Sequence, residues 1–196
     1  MNSRTISVIT AALIAIPSFA VAQATSAAPA TAAPAMPAPP AEIEVGRMAP
    51  DFTMPWADSS GLRAAPVTLS SLRGKVVVLA FYPLDRSSGC THELTKFRDE
   101  YDKLFGEGVV VVPVSVDSIA SHTSWAKEMS FPFALASDTG LDVAKQYGSY
   151  MPGRATSTRT VFVIGKDGRI LWRNLRFLAL NENAYTELAA EVAKAR

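Results

Sequence analysis

From residue 42 onward the chain alternates short apolar runs with amphipathic stretches, and clusters of Gly, Asp and Lys separate them. Lys75 to Tyr82 (KVVVLAFY) is a continuous apolar run rich in β-branched residues, the pattern of a central strand covered on both faces. Val109 to Val116 is a second such run and Thr160 to Ile164 a third. The third leads through Lys166-Asp167-Gly168, a hairpin-turn sequence, into Arg169 to Trp172. Between the first two strands Leu94, Phe97, Tyr101, Leu104 and Phe105 recur at helical spacing, with Glu93, Lys96, Arg98, Asp99, Asp102 and Lys103 on the other face. Further helices are predicted near Ile119 to Met129, Leu141 to Tyr147 and Glu182 to Ala195. Strands interleaved with helices, plus one hairpin, predict an α/β sandwich with a mixed central sheet flanked by helices.

The pattern is absent before residue 42. Residues 23 to 41 are almost entirely Ala and Pro without charge, a tether too poor in large apolar side chains to form a core. Residues 1 to 22 carry one charge, Arg4, then an apolar stretch from Ile6 to Ala15, a break at Pro17, and Ala20-Val21-Ala22. This is the pattern of a cleaved secretory signal, the alternative being a retained anchor, for which the apolar run is short and proline-broken. The expected organisation is therefore a leader over 1–22, a linker over 23–41 and one folded domain over 42–196, exported to a bacterial periplasm. Loss of Arg4 with the leader leaves 18 basic against 18 acidic residues. A balanced charge gives no reason to expect nucleic acid or, after cleavage, an anionic membrane as partner.

The chain has one cysteine, Cys90, where the first strand gives way to the amphipathic helix. Backbone N–H groups and the positive end of the helix dipole favour a thiolate there, and the thiolate is the nucleophile. Cys90 lies one turn before Leu94, so its thiol faces the core side of the helix mouth. A single cysteine excludes an internal disulfide and a CxxC pair, so a redox cycle must finish with a thiol from another molecule. Ser87, three residues earlier, offers a hydroxyl that can donate and accept. Pro83 can wall a pocket without an N–H that needs a partner. Taken singly, Ser87 reads as a helix cap and Pro83 as a strand terminator.

Together, Pro83, Ser87 and Cys90 have the spacing of the peroxiredoxin signature: proline, three residues, threonine or serine, two residues, cysteine. The stretch FYPLDRSSGCTHELTKFRD at 81–99 resembles the peroxidatic segment of the bacterioferritin-comigratory, or Q-type, peroxiredoxins of the AhpC/TSA superfamily. GRMAPDF at 46–52, LSSLRGK at 69–75, Phe131-Pro132-Phe133 ahead of Ser137-Asp138, and TRTVFVIGKDGRI at 158–170 extend the resemblance over the whole of 42–196. It implies a thioredoxin-like fold and reduction of hydrogen peroxide or organic hydroperoxides through a Cys90 sulfenic acid, in antioxidant defence, with no metal or organic cofactor. Arg159 matches the family's distant arginine, expected to favour the thiolate and hold a peroxide oxygen. Glu93 matches its acidic helix residue, expected to orient Arg159 or cap the helix. Cys90, Ser87 and Arg159 are thus the expected catalytic residues, with Pro83 and Glu93 on the substrate-binding side. The implied partners are a hydroperoxide and an external thiol, a thioredoxin-like protein or glutathione, and the implied state is a monomer or homodimer.

The chain departs from the pattern in three places. Many Q-type members carry a resolving cysteine five residues after the peroxidatic one, and here that position is Thr95. Ser87 replaces the usual threonine and Ser88 a proline. Two other readings compete: a copper site built from Cys90 with His92 and either His122 or Met129, and a thiol–disulfide oxidoreductase. Cys-x-His side chains diverge on a helix, and an oxidoreductase lacks its second thiol here. Both histidines are otherwise expected on the surface, and Trp125 and Trp172 in core or edge packing.

Overall fold

The computed structural model describes residues 43–196, so the leader, the linker and the domain's first residue expected above lie outside the described residues. Strand β5, Val76–Phe81, is buried along its whole length. Its alternate residues face two different cores. Val76, Val78 and Ala80 pack with Leu94, Phe97, Tyr185 and Leu188 on one side. Val77, Leu79 and Phe81 pack with Phe52, Val143, Tyr147 and Phe162 on the other. A period of two inside a wholly apolar run is what a central strand between two layers requires.

Around β5 the chain forms β1 (Thr53–Met54), β2 (Trp56–Asp58), β3 (Gly61–Leu62), β4 (Val67–Thr68), β6 (Val109–Ser115), β7 (Leu135–Ser137), β8 (Thr160–Ile164) and β9 (Ile170–Asn174). The helices are α1 (Ser88–Asp99), α2 (Tyr101–Leu104), α3 (Ile119–Met129), α4 (Asp142–Gln146) and α5 (Glu182–Ala195). One mixed sheet runs β3-β2-β7-β6-β5-β8-β9, and β1 pairs with β4 in a small separate ribbon. Strand β5 is parallel to β6 and antiparallel to β8, and β8 and β9 form the hairpin expected from Lys166-Asp167-Gly168. Gly168 takes φ +84°, a left-handed conformation that glycine adopts without strain.

Three expectations change. The single amphipathic helix read through Leu94, Phe97, Tyr101, Leu104 and Phe105 breaks at Glu100, with φ −111° and ψ 26°, between α1 and α2. The break brings Phe105 edge-on to Phe97 at 5.2 Å between centroids, so packing of the aromatic residues prevails over helix continuity. Strands β1 to β4 and β7 carry no periodic signal, because two or three residues are too few to show one. The histidines part company. His92 is exposed as expected, whereas His122 is fully buried against Asp85.

Candidate active site

The site lies at the carboxyl end of β5, where open α/β sheets characteristically place their chemistry. Beyond Phe81 the chain turns through Pro83 to Ser87 and enters α1, with Ser87 as the N-cap and Cys90 in the first turn. The first N–H groups of a helix have no acceptor within it, so this turn presents free donors and a positive dipole end beside the sulfur. Pairing of β5 with β8 then decides what faces it. Phe81 is opposite Thr160, so Arg159, one residue before β8, flanks the segment that carries Cys90. The carbonyl of Arg159 accepts from the N–H of Phe177 at 3.2 Å, which holds that strand entrance.

One guanidinium joins two groups here. Arg159 Nη2 donates to Cys90 Sγ at 3.1 Å, and Nη1 donates to Glu93 Oε2. Cys90 and Glu93 are 0% exposed, and the Arg159 side chain retains 17%. Burial pushes the Glu93 carboxyl up to about 7, and the positive charge of Arg159 offsets only part of that rise. Burial works against the charge of Arg159, yet Glu93 and then Cys90 outweigh it and hold its pKa above the ordinary arginine value. Glu93 Oε1 has no hydrogen-bond partner among the described residues.

Gly89 explains how the guanidinium comes so close. A Cβ there would lie 3.2 Å from Arg159 Nη2, so the residue before the cysteine keeps the approach open by lacking a side chain. The sequence signal was present in the Gly-Cys pair, but its reason is visible only once Arg159 is in place. Ser87 forms the N-cap through its backbone without a side-chain cap bond, and its Oγ donates to the Leu84 carbonyl at 3.1 Å. Pro83 is half-buried beside it. Glu93 stands behind Arg159 and does not cap α1; with none of its surface exposed, it reaches a substrate only through the guanidinium.

The residues of the proposed copper site do not assemble. His122 Nδ1 is taken by Asp85 Oδ2 at 3.0 Å, and the exposed His92 lies edge-on to Tyr185. Among the described residues no group of three or more His, Cys, Asp and Glu side chains is arranged to hold a metal ion. None of their helices is long and apolar enough to cross a membrane.

A lone thiol at a helix mouth, gripped by an arginine on a thioredoxin-like sheet, defines a thiol-based redox protein. Comparison with known proteins makes the assignment specific. The AhpC/TSA family matches residues 45–173. Peroxiredoxin Q of the chloroplast of Sedum lineare is 40% identical over 134 residues, covering 65% of this chain and 67% of that protein. The putative peroxiredoxin bcp of Coxiella burnetii is 39% identical over 134 residues, covering 65% and 85%. The crystal structure of peroxidoxin BcpB from Mycobacterium tuberculosis superposes with a TM-score of 0.65 at 28% identity, covering 79% of this chain and 99% of that one. The chain belongs to the AhpC/TSA family, as a one-cysteine peroxiredoxin of the Q-type group. Its class of activity is thiol-dependent peroxidase.

Proposed function

We propose that Cys90 reduces hydrogen peroxide or organic hydroperoxides outside the cytoplasm, in antioxidant defence, and is regenerated by an external thiol. The observation that carries the reading is the contact from Arg159 Nη2 to Sγ, with Glu93 fixing the other arm of the fork. The guanidinium sets a donor on the sulfur, and its planar fork keeps donors where a peroxide oxygen arrives.

The thiolate attacks the terminal oxygen of the hydroperoxide. An S–O bond forms, the O–O bond breaks, and its electron pair leaves on the distal oxygen, which takes up a proton and departs as water or alcohol. Sulfur is oxidised by two electrons to a sulfenic acid. Arg159 and the N–H groups of the first turn of α1 meet the charge that grows on both oxygens. Ser87 Oγ turns from the Leu84 carbonyl to the peroxide by rotation about χ1, and Pro83 excludes water from one side. An external thiol then attacks the sulfenic sulfur and expels water, and a second thiol resolves the mixed disulfide and returns Cys90 as thiol. A thioredoxin-like protein or glutathione fits this role, and a periplasmic setting follows from reading residues 1–22 as a leader.

The test is oxidation of purified protein with one equivalent of peroxide in the presence of a sulfenic-acid trap, read by mass spectrometry. The trap adduct is expected on Cys90, and Cys90→Ser is expected to abolish peroxide consumption with added thiol. Persistent turnover in Cys90→Ser would sink the assignment. N-terminal sequencing of protein from cell fractions tests export: a periplasmic species beginning at residue 23 is expected, and an unprocessed cytoplasmic one would refute it.

A further inference from the structure

Asp85, midway between Pro83 and Ser87, plays no part in the chemistry above, yet it is the most heavily bonded residue of the turn. Its Oδ1 accepts from the Tyr82 hydroxyl at 2.7 Å. Its Oδ2 accepts from Ser121 Oγ at 2.7 Å and contacts His122 Nδ1 at 3.0 Å. Its backbone N–H donates to Asp117 Oδ2 at 2.8 Å, and Ser115 Oγ donates to that same oxygen. The Asp85 side chain is 2% exposed and that of His122 0%. Next to it Arg86 takes φ +59°, a conformation unfavourable for a residue with a side chain. Its guanidinium is tied to Glu128, Ser124 and Ser121. Two adjacent residues of the active-site turn, Asp85 and Arg86, are therefore fastened along α3, an element that contributes no atom to the sulfur's surroundings described above.

We propose that His122, through Asp85, is a positioning residue that clamps the Pro83–Ser87 turn over Cys90 and so sets the peroxide pocket. The inference rests on the peroxidase reading for its consequence, though not for its geometry. Burial of His122 is poorly explained by stability alone. Its Nε2 has no hydrogen-bond partner among the described residues, a cost that an apolar side chain would avoid. What histidine supplies there is a donor on Nδ1, since a carboxylate only accepts, and the bonds from His122, Ser121 and Tyr82 outweigh burial and hold Asp85 below the usual carboxylate range. Asp85 lies two residues from Pro83 and two from Ser87, and Ser87 O accepts the first helical bond, from Thr91 N–H at 2.8 Å. Movement of Asp85 therefore displaces the pocket wall, the hydroxyl and the start of the helix that carries the thiol.

The test measures two rates on the same variants: alkylation of Cys90 by iodoacetamide without peroxide, and the single-turnover oxidation of Cys90 by hydrogen peroxide. His122→Leu is expected to raise alkylation about fivefold, as the turn loosens over a buried sulfur. The same change is expected to lower peroxide oxidation at least about tenfold, because displacements near 1 Å carry penalties of that order. His122→Asn, which keeps a donor near Nδ1, should return both rates toward the parent. Opposite signs in the two rates and recovery in the Asn variant support the clamp; any other pattern in folded protein overturns it. If His122→Leu does not fold, Asp85→Asn and Ser121→Ala are judged by the same two rates. A parent protein that alkylates but does not react with peroxide would overturn the peroxidase reading alone, and alkylation would still decide the clamp.

Discussion

Replacing Arg159 by lysine keeps the positive charge and removes the fork. In the native site Nη1 and Nη2 address Glu93 and Cys90 Sγ at once, and the side chain is only 17% exposed, so solvent screens these bonds weakly. A lysine ammonium is a point donor on a flexible stem and cannot hold the same two partners in one plane. The variant therefore loses the net worth of one charge-assisted hydrogen bond, about 1.5–3 kcal/mol. If that bond is fully expressed in the transition state, the oxidation rate falls about 10- to 150-fold. The assay is stopped-flow oxidation by hydrogen peroxide followed by tryptophan fluorescence. Trp125 is a suitable reporter, buried at 6.0 Å between ring centroids from Tyr82 at the head of the active-site turn. Reduction of the sulfenic acid by dithiothreitol, measured separately, should change little. Arg98→Lys provides the control, because Arg98 serves Asp99 and the Met129 carbonyl and has no contact with the sulfur. An Arg159→Lys rate within about threefold of the parent would refute the reasoning, since charge alone would then suffice and the bidentate geometry would contribute less than about 1 kcal/mol.

Two further outcomes follow from the same site. Gly89→Ala places a Cβ 3.2 Å from Arg159 Nη2; oxidation is expected to slow about tenfold, while thermal stability holds or rises, because alanine is favoured over glycine in a helix by up to about 1 kcal/mol. Unchanged oxidation would show that the guanidinium tolerates displacement. For Glu93, the folded pKa of about 7 lies above the ordinary glutamate value of about 4.5, so the native state binds the proton more tightly than the unfolded chain. Stability from this group is thus full at low pH, declines as pH rises from about 4.5 and levels off above about 7, a fall of about 3 kcal/mol. Denaturant titrations of the parent and Glu93→Gln between pH 5 and 8 check this. A flatter pH dependence is expected in the variant, and identical slopes would refute it.

The sheet and the thiol were legible in the sequence for different reasons. Helix α3 starts and ends where periodicity places it because Ser118 caps it by accepting from the Ser121 N–H and Ser130 leaves it in a left-handed conformation. Helix α5 likewise begins at a side-chain cap, Asn181. Strand β7 could not be read from local pattern. Three residues become a strand through pairings such as Trp56 with Ala136 and Val114 with Ala136, which are properties of the assembled sheet. In the site, Pro83, Ser87 and Cys90 are close in sequence and fall into one short motif. Arg159 could be assigned only by resemblance, since the register of Phe81 with Thr160 is what brings it across. His122 was misjudged because a polar residue on an amphipathic helix ordinarily faces water, and nothing local shows that Asp85 waits on the buried side.

Thr95, in the position where many Q-type relatives carry a second cysteine, bonds its hydroxyl back to the carbonyls of Thr91 and His92 and so stays within α1. A second thiol tethered five residues away would act at an effective concentration fixed by the chain, on the order of millimolar for a short tether. Without it, the step that clears the sulfenic acid is bimolecular at every turnover, and its speed tracks the surrounding thiol pool. When that pool is ample the protein is a peroxide scavenger limited by its first step. When thiols run short, oxidised Cys90 accumulates in proportion, so the fraction oxidised is a gauge of reducing supply as well as of peroxide.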